Sequence, residues 1–248
     1  MKRYFLADAH LKDPGDRNYR HLLDFLRSLE KEPCELILLG DIFEFWMGYR
    51  HVLFAPYVPL LEQLRRLRER GTEIVFVEGN HDFRMGPYFT ETLGCTVFSG
   101  DGVLERDGRR LHISHGDLVD EEDVPYRLLR AFLRCPLFYA AFRVFPPDWA
   151  WAIARRAGRR SRKKRAARER RWDPENLLRR HARRRFAAGA DIVISGHFHL
   201  PWREQSGAGT ILSLGDWISQ FSYAVMDQGQ ILLTSYAPAG DPPSSFDP

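Results

Sequence analysis

Apolar and polar positions fall in repeating blocks along this chain: a short continuous apolar run, a polar turn, then a stretch with apolar residues at every third or fourth position. Lys2 to Ala7 reads as a buried strand, and residues 18 to 30 place Tyr19, Leu22, Leu23, Leu26 and Leu29 on one helical face. The unit recurs with Glu35 to Leu39 as a strand and 57 to 70 as a helix carrying Leu60, Leu61, Leu64 and Leu67, followed by the strand Ile74 to Val77. Strands alternating with amphipathic helices predict a layered α/β sheet whose sites lie beyond the carboxyl ends of the strands. Further on, Thr96-Val97-Phe98, Arg110 to Ile113 after a hairpin-like Asp107-Gly108, and Asp191 to Ser195 continue the strand pattern. Runs at 210–214, 222–227 and 231–236 suggest closing antiparallel strands, and Ala237 to Pro248, rich in Pro, Ser and Asp, a disordered tail.

The texture changes from about 120 to 186, which divides the chain into a core of residues 1–119 and 187–236 and a helical insertion, or cap. Leu128, Leu129, Phe132, Leu133, Phe138, Phe142, Trp149 and Ile153 are interrupted by Pro136, Pro146 and Pro147, so the segment reads as several short helices. This aromatic stripe is either the core of a helical subdomain or a surface for apolar ligand. Asp173-Pro174 then looks like an N-cap and first helical position. Charge sharpens the division. Residues 155 to 185 hold sixteen Lys and Arg against three acids in a chain whose total is +4, so the remainder is net acidic. Such a block marks an anionic partner, whether nucleic acid, a phosphorylated ligand or a membrane surface; the plainer alternative is a solvated helical face.

Composition narrows the class. Cys34, Cys95 and Cys135 lie far apart, which argues against a disulfide framework or zinc ribbon and for a reducing, cytoplasmic setting. Asp8 follows too few apolar residues for the core of a signal peptide, and no stretch approaches the ~20 uninterrupted apolar residues of a spanning helix.

The strand ends carry the chemistry: Asp8 and His10, Asp41, Asn80 and His81, His115, and His197 and His199. A structural histidine occurs singly, but five coincident strand ends bearing imidazole, carboxylate or amide do not arise by chance. Oxygen and nitrogen ligands without thiolate suit two divalent ions such as Mn²⁺, Fe²⁺ or Zn²⁺. Asp8 and His10, two apart on an extended strand, share a face. Asp41 can bridge two ions ~3.5–4 Å apart, an arrangement suited to displacement at phosphorus. His81, with Asp82 orienting it, then stabilises or protonates a phosphoryl oxygen.

Asp8-x-His10, Gly40-Asp41, Gly79-Asn80-His81-Asp82, His115-Gly116-Asp117 and Gly196-His197-x-His199, in this order, resemble the calcineurin-like metallophosphoesterase superfamily. The resemblance implies a β-sandwich of two mixed sheets flanked by helices. It also implies one ion on Asp8, His10, Asp41 and His199 and another on Asp41, Asn80, His115 and His197. Gly40-Asp41-Ile42-Phe43-Glu44-Phe45-Trp46, Asp82-Phe83, Asp123-Val124-Pro125-Tyr126-Arg127 and the insertion itself are similar to the UDP-2,3-diacylglucosamine hydrolases of lipid A biosynthesis. Those are peripheral enzymes on the cytoplasmic face of the inner membrane that use Mn²⁺ and release UMP and a diacylated glucosamine 1-phosphate.

By that resemblance the substrate contacts are Asn80, His81, His197, Asp123, Tyr126, Ser161, Arg165 and Arg168. The aromatic helices would bury acyl chains while the basic run meets the diphosphate and anionic headgroups of the membrane. His81 stands where that narrower family commonly has arginine. The other readings are a pyrophosphatase or phosphodiesterase acting on another nucleotide-linked substrate, a nuclease or nucleic-acid binding protein, and a non-catalytic scaffold. The aromatics precede the arginines in a block and do not interleave with them as base-stacking platforms would. No obligatory nucleic acid and no protein partner is expected, and complete ligands with His81 argue against a scaffold.

Overall fold

The structure is a computed structural model and describes residues 1–153, 156 and 173–237. Two mixed sheets lie face to face with helices outside each. The first has the order β11-β10-β1-β2-β3-β4, built from β1 (Arg3–Leu6), β2 (Glu35–Leu38), β3 (Glu73–Val77), β4 (Thr96–Phe98), β10 (Ser222–Asp227) and β11 (Gln230–Ser235). The second has the order β5-β6-β7-β9-β8, from β5 (Gly102–Arg106), β6 (Arg109–Ser114), β7 (Ile192–Ser195), β8 (Pro201–Ser206) and β9 (Gly209–Leu214). Both faces of the central strands are covered, which is why they read as unbroken apolar runs. Phe5, Ile37, Val75 and Val77 point inward against Leu111, Ile113, Ile194 and Leu212 of the opposite sheet. Their neighbours Leu6, Leu36, Leu38 and Phe76 face out under α1 (Arg17–Ser28) and α2 (Val58–Glu69).

The strand directions place the site. β1, β2, β3 and β4 run parallel, and in the second sheet β6, β7 and β9 do. Register aligns Leu6 with Leu38 in one sheet, and Ser114, Ser195 and Ser213 in the other, so the strand ends form one rim. At the opposite end of the first sheet, buried Glu35 takes Arg3 at 3.0 Å and Arg106 of the second sheet at 2.7 Å, closing the sandwich away from that rim.

Three features differ from the sequence expectation. β9 was expected among closing antiparallel strands; it is antiparallel only to β8 and lies parallel to β7 in the second sheet. β8 gave no sequence signal because Pro201-Trp202-Arg203-Glu204-Gln205-Ser206 is a polar sheet edge with no apolar run. The cap contributes α3 (Val124–Leu133), α4 (Pro136–Arg143) and α5 (147–153), short as the prolines require. Its last helix, α6 (Pro174–Ala187), instead packs Leu177, Leu178 and Ala182 on Val193 and Ile211, covering the second sheet. Asp173 caps α6 by accepting from the Asn176 amide at 3.1 Å. Ser161, Arg165 and Arg168, the core of the basic run, and the tail from 238 lie outside the described residues.

Candidate metal centre at the strand ends

Past their strands, the loops after β1 and β2 stay zipped together: the Asp8 amide donates to the Gly40 carbonyl at 3.0 Å and the His10 amide to that of Asp41 at 2.9 Å. Each carboxylate then divides its oxygens. Asp41 Oδ1 accepts the amides of Asn80 and His81 at 2.9 and 2.8 Å, which leaves Oδ2 3.6 Å from His10 Nε2 and 3.5 Å from His115 Nε2. Asp8 Oδ2 accepts the His197 amide at 2.7 Å, and Oδ1 lies 3.2 Å from His199 Nε2. Asn80 Oδ1 is 3.1 Å from His115 Nε2, and His197 Nδ1 is 3.2 Å from the same nitrogen. Six of the seven residues expected as ligands therefore form an Asp8, His10, His199 group and an Asp41, His115, His197 group with ligand atoms within 4.8 Å in each, and the seventh, Asn80, joins the second through His115.

The backbone is strained to achieve this. Asp8, His10, Asp41, His197 and His199 all adopt the left-handed conformation, with φ between 44° and 72°. Non-glycine residues there cost of order 1 kcal/mol each, held by the surrounding packing. At Gly79 a Cβ would run into Asp41 Oδ1 and Asp82 Oδ1, so only glycine lets the Asn80-His81 amides reach Asp41.

Beyond these residues sits a layer of acceptors. His115 Nδ1 faces the Leu39 carbonyl at 2.8 Å and His81 Nδ1 that of Glu44 at 2.8 Å; a carbonyl only accepts, so both Nδ1 atoms carry protons. His10 Nδ1 is 3.6 Å from the Glu44 carboxylate, and His199 Nδ1 is 3.5 Å from Asp216. Burial works against charge on Asp216, yet His199 and the amides of Ser219 and Ile218 hold its carboxyl at about 2. Sequence reasoning missed the roles of Glu44 and Asp216. For Asp216 a signal existed: Gly215-Asp216 closes β9 as Gly40-Asp41 closes β2.

Asp82 corrects an expectation. It does not orient His81; its buried carboxylate accepts the amides of Asp41 at 2.8 Å, Ile42 at 2.7 Å, Phe43 at 3.2 Å and Gly79 at 3.0 Å. Asp82 thus staples the β2 loop to the β3 turn, and the Glu44 carbonyl orients His81. Asp123 caps α3 through the Tyr126 amide at 3.1 Å, while the Tyr126 hydroxyl donates to Asp117 Oδ2 at 2.5 Å. Arg130 joins the same oxygen at 2.7 Å. Of the two expected sugar contacts, Tyr126 thus ties the cap to the His115 loop, while Asp123 starts α3.

The donors fit divalent ions. Asp8 Oδ1 and His10 Nε2 are buried without hydrogen-bond partners, which is costly unless a cation meets them. Burial opposes charge on His115, but Asp41 and Asp8 beside it outweigh that and raise it to about 10. Burial and the adjacent His115 push His197 down to about 3. Positive charge is thus drawn to the space between the carboxylates, and in the protein alone a proton on His115 supplies it.

A model of the calcineurin-like phosphoesterase family matches residues 1–201. The UDP-2,3-diacylglucosamine hydrolase of Porphyromonas gingivalis is 32% identical over 94% of this chain and 97% of its own. That of Stenotrophomonas maltophilia is 31% identical over 92% and 96%. Zinc-bound Vps29 from Entamoeba histolytica superposes with a TM-score of 0.48 at 14% identity, over 94% of this chain and 90% of that one.

Proposed function

Because this chain belongs to the calcineurin-like phosphoesterase family, whose members are metal-dependent hydrolases, we propose that it cleaves the pyrophosphate of UDP-2,3-diacylglucosamine to UMP and 2,3-diacylglucosamine 1-phosphate. The observation that carries the reading is Asp41 Oδ2, set 3.6 Å from His10 and 3.5 Å from His115, where one oxygen joins both ligand groups. Asp8, His10, Asp41 and His199 would hold one ion, and Asp41, Asn80, His115 and His197 the other; Mn²⁺ suits this thiolate-free set. Bound there, the pair supplies Lewis acidity at phosphorus and an acidified water.

The chain's own residues do the rest. Asn80 and His81 leave the β3 turn side by side, their amides fixed on Asp41. With Nδ1 held by the Glu44 carbonyl, His81 presents Nε2 to a phosphoryl oxygen and donates to it in the charged form. The cap would take the acyl chains. Val124, Leu128, Leu129 and Phe132 of α3 are more than half exposed, as is Leu137 of α4, an apolar surface with the basic run next in sequence. The named relatives supply the substrate, and the same surface supports a peripheral place on the cytoplasmic face of an anionic inner membrane. Among the described residues no helix is long and apolar enough to cross a membrane.

The test is turnover by the Mn²⁺-loaded protein of UDP-2,3-diacylglucosamine, a non-acylated UDP-sugar, an aryl phosphodiester and single-stranded DNA, with products identified by mass spectrometry. Preference for the acylated sugar supports the reading. Equal turnover of both sugars refutes the lipid substrate, and cleavage of DNA alone would favour a nuclease.

A further inference from the structure

We propose that Asp101, His112 and His181 form a third cation site, of the kind that takes Zn²⁺, which braces the helix returning from the cap. Three separate elements supply it: the loop between β4 and β5, the middle of β6, and α6. One ligand atom from each residue lies within 4.8 Å of the others. His112 Nε2 is 3.3 Å from Asp101 Oδ2, and the imidazoles of His112 and His181 are 5.4 Å apart between centroids.

These side chains are out of place as packing. Leu111 and Ile113 flank His112 and point into the core between the sheets, so His112 faces the other way, under α6. Register sets it between Val103 and Val193, and Leu178 and Ala182 of α6 belong to the apolar layer there. Both rings are more than nine-tenths buried, at 5% and 7% exposure, and His112 Nδ1 is buried with no hydrogen-bond partner. Two imidazoles in an apolar layer converging on one carboxylate are a donor set for a borderline divalent ion, with water completing a tetrahedron.

A cation already stands at the mouth. Arg185, one helical turn beyond His181, places Nη2 2.9 Å from Asp101 Oδ2 and Nε 3.4 Å from His181 Nε2. Since a guanidinium only donates, His181 Nε2 is the lone-pair side of its ring, and it faces the same point as Asp101. The Arg185–Asp101 pair is 39% and 33% exposed, so the guanidinium can leave for water at little cost when a divalent ion enters. The bound ion would then join α6, β6 and the β4–β5 loop, fixing the helix that carries the chain from the cap back to the core.

The test counts zinc. Metal-free full-length protein is titrated with Zn²⁺ against a chelator, and bound zinc is measured by elemental analysis, for the wild type and for Arg185→Ala, His112→Asn and His181→Asn. The strand-end clusters are common to all four and cancel. One more equivalent is expected in the wild type than in either histidine variant. Arg185→Ala, a surface change that leaves the three donors in place, should bind that equivalent more tightly, by up to about fivefold, the worth of a partly exposed ion pair. Co²⁺ at the same site should give the visible absorption of a tetrahedral complex, absent in His181→Asn. Equal stoichiometry in Arg185→Ala and His181→Asn would overturn the proposal and leave an ion-pair network closed by Arg185.

Discussion

Asp216 Oδ2 stands 3.5 Å from His199 Nδ1, and the same carboxylate anchors its own loop through the amides of Ile218 at 2.8 Å and Ser219 at 2.7 Å. A carboxylate behind a metal-ligating imidazole fixes its tautomer and raises its basicity, and losing it costs 10–100-fold in metal affinity in comparable sites. Asp216→Asn keeps an oxygen for the two amides but loses the charge. Metal affinity at the Asp8, His10, His199 group should fall by about 10- to 100-fold, with activity restored by excess Mn²⁺. Calorimetric titration checks this. Unchanged affinity would confine Asp216 to holding its loop.

Asp82 is expected to matter for folding before it matters for chemistry. Its two oxygens satisfy four buried amides, and each amide left unpaired costs about 1–3 kcal/mol. Asp82→Ala should lose more than about 4 kcal/mol, enough to unfold many domains. Asp82→Asn, which keeps one acceptor, should lose about 2–3 kcal/mol. Urea unfolding of the metal-free protein measures both. A residual activity in folded Asp82→Asn, with His81 still held by Glu44, would separate the stapling role from catalysis.

The contrast between Asp41 and Asp82 shows what was legible in the sequence. That Asp41, Asn80 and His115 would meet could be read because a strand that ends in a polar residue points it over the rim, and strand ends follow from hydrophobic runs alone. Asp82 was misread because its partners are the backbone amides of Asp41, Ile42 and Phe43, and no residue identity encodes a backbone donor. The Tyr126 hydroxyl goes to Asp117 across the cap boundary, a pairing the sequence does not carry because tertiary packing alone decides it. The end of the insertion was set at a change in composition. α6 shares the basic composition of that segment, yet packs Leu177, Leu178 and Ala182 on the second sheet. The aromatic stripe was left between core and ligand surface; Phe142 and Trp151 pack on the first-sheet core, while Leu128 and Phe132 stay exposed.

His81→Ala should abolish turnover while leaving the bound metal unchanged, since His81 takes part in neither ligand group with Asp8 or Asp41. Elemental analysis beside a turnover assay decides this. His81 does form a third group with His10 and Glu44, so loss of metal in the variant would instead make it a ligand.

The raised His115 sets a pH dependence for metal binding. With its metal-free value near 10 against an ordinary ~6.5, His115 is charged at neutral pH and must lose that proton to bind a metal. His197, already at about 3, is neutral and has none to lose. Affinity at the Asp41, Asn80, His115, His197 group should therefore rise with pH, by up to ~tenfold per unit for this one proton, and level off near 10. The metal-free fold follows the opposite sign: the stabilisation from charged His115 is complete below ~6.5 and is lost as pH rises through about 10. Titration at pH 7 and 9 in two buffers of different ionisation enthalpy should show one proton released fewer in His115→Asn than in the wild type.

Arg134, the residue that ends α3, connects the cap to the Gly79 turn. Its Nη1 is 2.7 Å from Glu78 Oε2 and also bonds the Ser99 carbonyl, and Nη2 donates to the Gly79 carbonyl at 3.2 Å. Arg84 donates back to the Arg134 carbonyl at 2.5 Å and lies 4.5 Å over the Tyr139 ring of α4, so two cap helices bear on the segment that presents Asn80 and His81. Arg134→Met leaves Glu78 buried and uncompensated, which in such pairs costs about 3–5 kcal/mol. Glu78→Gln with Arg134→Met removes that charge while keeping an oxygen for the Met85 amide, and should recover most of the loss. The double variant should still turn over the acylated sugar poorly and the non-acylated one nearly as the wild type does, because what it lacks is the seat of the cap. A wild-type urea midpoint for Arg134→Met would show that the pair holds nothing in place, and equal losses on both sugars would put the defect in the turn itself.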